Sequence, residues 1–128
     1  MNQWASRKPM NRTGWKSAKK EREKKAEERF QYQVIELARH LGWFPVHILN
    51  MGGTAAGVPD LFLFRERLVW IELKAYSDAT GKAGKLSPEQ ERFHDVLRDA
   101  GQEIYVAWDD DDGWALIKRV LAKPGVPQ

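Results

Sequence analysis

Apolar residues recur along this chain with two different periods, and the changes of period divide it into elements. Phe30, Val34, Leu37 and Leu41 follow one another at steps of four, three and four. That spacing lays an apolar stripe along an amphipathic helix, predicted over residues 18–41. Gly42 supplies its C-terminal stop. Residues 43–49, Trp-Phe-Pro-Val-His-Ile-Leu, read as a first strand, with Pro45 marking an edge or an irregular start. The glycine-rich run at 50–57 fits neither a P-loop nor a dinucleotide fingerprint and reads as a connection. Leu61–Phe64 and 68–75 are apolar runs either side of Arg65-Glu66-Arg67, the pattern of a hairpin. A polar loop at 76–85 leads to Ser87-Pro88-Glu89-Gln90, an N-cap serine, a proline at the first helical position and a glutamine completing a capping box. The helix it opens runs to Ala100, with Gly101 ending it. Glu103–Trp108 and 114–118 read as closing strands around a turn at 109–113. The order helix, three strands, helix, two strands predicts an α/β domain with a mixed sheet flanked by helices, and no internal repeat is visible.

Composition narrows the class. With 128 residues, 42% apolar and 30% charged, the chain is long enough for one packed domain. It contains no cysteine, which excludes disulfides, thiol catalysis and a cysteine zinc site. No apolar run reaches membrane-spanning length and no signal-peptide core opens the chain, so the expected setting is cytoplasmic, with no membrane partner.

Charge is divided unevenly. Residues 1–26 hold nine Lys/Arg against two Glu, a net of +7, while the remainder holds 12 basic and 16 acidic residues, a net of −4. The expected organisation is a basic, flexible extension at 1–26, a folded body at 27–123 and a short tail at 124–128. Lys19, Lys20 and Arg22 are candidate phosphate contacts, and Trp4 and Trp15 are candidate base-stacking rings; the plainer reading is a solvated basic extension. The acidic body does not attract nucleic acid by charge alone, whereas a bound cation would change that locally.

Three charges interrupt the apolar hairpin. Asp60 opens its first strand, and Glu72 and Lys74 sit two apart on its second, so both point to one face beside Trp70. Val69, Ile71 and Leu73 point the other way, into a core. Burying unpaired charge is costly, so such groups pair or bind metal. Two carboxylates and a backbone carbonyl suit a hard cation such as Mg²⁺. A lysine beside them suits orientation of a water or neutralisation of a phosphate. The competing reading is a surface hairpin with an ordinary Glu/Lys pair.

Glu27 falls close to the apolar stripe of the first helix and Glu28 nearly opposite, making Glu27 a candidate ligand against the alternative of a solvated helix end. Gln90 shares a face with Phe93, His94 and Leu97, so it either serves the site, caps the helix, or both. Lys82 and Lys85 flank a loop near the presumed site and are candidate grips on a substrate strand. The Asp109–Asp112 run reads as a solvated hairpin turn rather than a metal cluster. His40, His47 and His94 lack zinc-like spacing and read as surface or boundary residues, and Trp70 and Trp108 as core.

Gly57-Val58-Pro59-Asp60-Leu61, Ile71-Glu72-Leu73-Lys74, Leu86-Ser87-Pro88-Glu89-Gln90, and Gly101 before a closing strand together resemble the VRR-NUC nucleases of the PD-(D/E)xK restriction-endonuclease-like superfamily. The opening helix, with Glu27, Phe30-Gln31 and Gly42-Trp43, resembles the family's start. The resemblance covers residues 27–110. It implies a restriction-endonuclease-like core and a Mg²⁺- or Mn²⁺-dependent nuclease. It carries metal-ligand roles to Asp60, Glu72 and Glu27, the catalytic lysine role to Lys74 and an accessory role to Gln90. Small stand-alone members, including phage proteins, resemble homodimers that cleave Holliday or other branched DNA junctions. A homodimer acting on branched DNA is therefore the expectation, with a non-catalytic binding module, or a nuclease-fold subunit of a larger DNA-processing complex, as the alternatives.

Overall fold

A computed structural model describes residues 12–48, 57–76 and 85–122. Its elements are α1 (Arg12–His40), β1 (Phe44–His47), β2 (Leu61–Phe64), β3 (Leu68–Lys74), α2 (Pro88–Asp99), β4 (Glu103–Trp108) and α3 (Asp111–Ala122). The four strands form one sheet in the order β1-β2-β3-β4. Strands β1, β2 and β3 pair antiparallel, and β3 pairs parallel with β4 across the α2 crossover. The expected class, a mixed sheet flanked by helices, is the one observed.

The stripe on α1 does what its spacing predicts. Phe30, Val34 and Ala38 are fully buried, and Leu37 and Leu41 pack beside them. They meet Leu61 and Leu63 of β2, Val69, Ile71 and Leu73 of β3, and Ile117, Val120 and Leu121 of α3 in one core. Gly42 closes α1 with φ of +88°, a conformation that a side chain resists. The bonds Trp43 N–H to Ala38 O (2.9 Å) and Gly42 N–H to Arg39 O (3.0 Å) complete a Schellman motif. Trp43 then leaves the sheet and buries its ring, with Nε1 donating to Leu121 O at 2.9 Å. Of the predicted 43–49, β1 takes Phe44–His47, and residue 49 lies outside the described residues.

Two expectations are corrected. Residues 114–118 are not a closing strand but part of helix α3. Asp110 Oδ1 accepts the Gly113 N–H at 2.7 Å, an N-cap bond, and Asp111 and Asp112 occupy the first turn, where the helix dipole favours acids. The aspartate run is thus a helix start, neither a hairpin turn nor a metal cluster. Ile117, Val120 and Leu121 carry the helical spacing that buries it. The first helix also begins at Arg12 rather than 18, so the basic residues from 12 to 26 are part of α1. Residues 1–11, with Trp4, lie outside the described residues.

Candidate active site

The hairpin register sets the first relationship. Leu61 faces Ile71, which places Asp60 at the mouth of β2 beside Glu72 on β3. Two hydrogen bonds then fix Asp60 against β3. Asp60 N–H donates to Glu72 Oε2 at 3.0 Å, and Leu73 N–H donates to Asp60 Oδ2 at 2.9 Å. Lys74 shares the Glu72 face, with Nζ 3.6 Å from Glu72 Oε1.

Gln90 ties this strand to α2. Its Nε2 donates to Glu72 Oε1 at 2.6 Å, and its Oε1 accepts from Lys74 Nζ at 3.1 Å. The same Oε1 accepts the Ser87 N–H at 2.9 Å, and Gln90 N–H donates to Ser87 Oγ at 3.1 Å, so the capping box is complete. One glutamine therefore caps the helix and orients both charged residues. Gly57, at φ of +88°, lets the loop before Asp60 approach closely. A Cβ there would run into the Glu89 carbonyl oxygen and stand 2.7 Å from Gln90 N.

Burial makes the carboxyls unusual. Glu72 is 1% exposed, and burial pushes its carboxyl up to about 8, with Asp60 adding to the rise and Lys74 opposing it. Asp60 is raised by burial against the opposing Leu73 N–H and Lys74 charge. Glu27 is half-buried at the same end of the sheet, raised by burial first and by Asp60 second. Its neighbour Glu28 is exposed. A cleft of about 270 Å³ between α1 and β1 runs up to Asp60 and is lined also by Lys24, Glu27, Gln31 and His47.

A family model, the VRR-NUC domain, matches residues 2–108. The chain belongs to the VRR-NUC family. Two solved VRR-NUC structures resemble it in fold. One, a "VRR_NUC domain", has a TM-score of 0.58 at 23% identity, covering 75% of this chain and 94% of its own. The other, a "VRR_NUC domain protein", has a TM-score of 0.58 at 20% identity, covering 80% and 96%. No curated protein matches. VRR-NUC membership makes this a nuclease-fold protein, from a family that binds and cuts DNA.

The VRR-NUC site suits a hard divalent cation. Three carboxyls repel one another in a partly dry setting, and a cation beside them would remove both penalties. The Asp60 carboxyl accepts from Leu73 N–H through Oδ2 and also meets the Glu72 side chain. Among the described residues no three acidic or histidine side chains converge to enclose an ion by themselves.

The remaining expected site residues scatter. Lys85 is exposed just before α2, and Arg22 is exposed on α1. Lys19 and Lys20 belong to α1, with their side chains outside the described part, and Lys82 lies outside the described residues. Trp70 is half-buried against Phe62 (centroids 4.9 Å apart), and Trp108 is half-buried too, so neither joins the main core. His94 is a correction: it is fully buried, with neither ring nitrogen hydrogen-bonded. His47, Gln31 and Lys24 were not singled out for a site from the sequence. Gln31 carried a signal, a polar residue four after Glu27 on the buried stripe.

Among the described residues no helix is long and apolar enough to cross a membrane.

Proposed function

We propose that this protein is a Mg²⁺- or Mn²⁺-dependent endonuclease that hydrolyses DNA phosphodiesters, selecting branched substrates such as four-way junctions. The observation that carries the reading is the interlocked Asp60–Glu72–Lys74–Gln90 cluster, buried charge held in place by two strands and a helix cap. Asp60 and Glu72 would hold the cation, with Glu27 completing or orienting the set. A bound divalent ion supplies Lewis acidity, polarising the phosphate and making water acidic enough to attack at neutral pH.

The chain's own groups do the rest. Gln90 fixes the Lys74 ammonium through a 3.1 Å hydrogen bond. Lys74 orients the attacking water and offsets charge growing on the phosphate oxygens. Water forms the new P–O bond as the P–O3′ bond breaks. The water's proton is lost to solvent and the leaving 3′ oxygen is protonated, leaving 5′-phosphate ends. Two symmetric cuts across a junction suit a twofold homodimer. Lys19, Lys20, Arg22, Lys82 and Lys85 are the candidates for phosphate contacts.

The test incubates a labelled four-way junction and a linear duplex with wild type and Lys74→Ala in Mg²⁺ or Mn²⁺. Junction cleavage by the wild type alone supports the reading. No cleavage of either substrate ends the enzyme reading, and equal cleavage of the linear duplex ends only the preference for branches. DNA retention without cleavage would favour a binding module.

A further inference from the structure

Three side chains that the proposed chemistry leaves unused meet in one place. The α1–β1 cleft brings Lys24, Gln31 and His47 against Glu27 and Asp60. The packing that assembles them is specific. His47 pairs with Leu61 across the sheet, next to Asp60, and Ile48 N–H donates to Asp60 O at 2.8 Å. From the helix side, Lys24, Glu27 and Gln31 follow at steps of three and four, on one face of α1.

Gln31 indicates what the cleft is for. It is 8% exposed, on a stripe otherwise filled by Phe30, Val34 and Ala38, yet its amide makes no hydrogen bond to any described residue. Its amide opens to the cleft, where water or a ligand reaches it, and an apolar side chain would pack the stripe as well. A ligand in the cleft would take that bond in place of water.

The chemistry of the lining selects the ligand. The Lys24 ammonium, the His47 imidazole and the Gln31 amide all offer N–H donors, the set that takes phosphate oxygens. Glu27, Glu28 and Asp60 also line the cleft and would repel an anion here unless a cation lay between, which couples this cleft to the metal-binding residues. Lys74, Glu72 and Gln90 do not line it, so the cleft lies on the other flank of Asp60.

We propose that the α1–β1 cleft takes a backbone phosphate of the nucleic-acid strand, with Gln31 Nε2 donating to a phosphate oxygen, Lys24 supplying positive charge and His47 a further N–H donor. The assignment rests on the nuclease reading above. It runs the strand across Asp60, between this cleft and Lys74. Gln31 contributes a neutral hydrogen bond and Lys24 a charge, so the two leave different marks on binding.

The test is fluorescence anisotropy of a fluorescein-labelled four-way junction against salt concentration, with Ca²⁺ in place of Mg²⁺, alongside melting temperature and a cleavage assay in Mg²⁺. Gln31→Met is expected to weaken binding about tenfold, as loss of a hydrogen bond to a charged group does. Its salt slope should stay that of the wild type and its melting temperature should be unchanged or raised. Lys24→Ala is expected to reduce the slope of log K against log salt by about 0.9. Both variants binding like a wild type that still cuts DNA would overturn the cleft assignment and leave the nuclease reading intact. A fall in melting temperature for Gln31→Met, with Lys24→Ala binding like the wild type, would also overturn it. A wild type that neither binds nor cuts would overturn the nuclease reading itself.

Discussion

Gln90 donates from Nε2 to Glu72 Oε1 at 2.6 Å while its own Oε1 receives the Lys74 ammonium and the Ser87 N–H. Helix α2 and strand β3 are thereby coupled through a single amide. Gln90→Ala removes a capping partner and strips a hydrogen bond from a buried carboxyl, at a cost of about 2 kcal/mol. Urea denaturation is expected to show that loss, and single-turnover cleavage at a temperature where the variant is folded is expected to slow by about a hundredfold, roughly the general cost of losing one preorganised polar contact.

Gly57 sits where no side chain fits. Gly57→Ala places a Cβ against the Glu89 carbonyl and forces a left-handed residue, costing on the order of 2 kcal/mol. Because the same loop carries Asp60, the cleavage rate is expected to fall further than Lys24→Ala lowers it, with a lower melting temperature.

The pH dependence has a defined sign. The Glu72 carboxyl lies at about 8 in the folded protein against an ordinary 4.5, so the folded state binds the proton more tightly than the unfolded chain. Its contribution to stability is fully present below about 4.5 and is lost as pH rises to about 8. One such group gives a slope of at most about 1.4 kcal/mol per pH unit. In EDTA, the melting temperature of the wild type minus that of Glu72→Gln is expected to decline across this window. Mg²⁺ binds the ionised form, so the rise in melting temperature it gives is expected to be larger at pH 8 than at pH 6.

Much of the molecule was written locally in the chain. The α1 stripe, the hairpin and the capping box each rest on contacts within a few residues or on simple alternation. Asp60, Glu72 and Lys74 stood out because charge on apolar strands is conspicuous. Helix α3 was misread because the aspartates before Gly113 imitate a turn, although Ile117, Val120 and Leu121 held the helical spacing. The α1–β1 cleft was not legible at all. His47 and Gln31 meet only because an edge strand and a long helix pack together, and neither residue signals that alone.

The most direct test of the central claim is the single-turnover cleavage rate of wild type against Lys74→Ala on one labelled junction in Mg²⁺, with EDTA as control. The site described here predicts 5′-phosphate products from the wild type, none in EDTA, and a loss of at least about a hundredfold in Lys74→Ala at an unaltered fold. Cleavage that persists in EDTA, or a Lys74→Ala rate equal to that of the wild type, would contradict it.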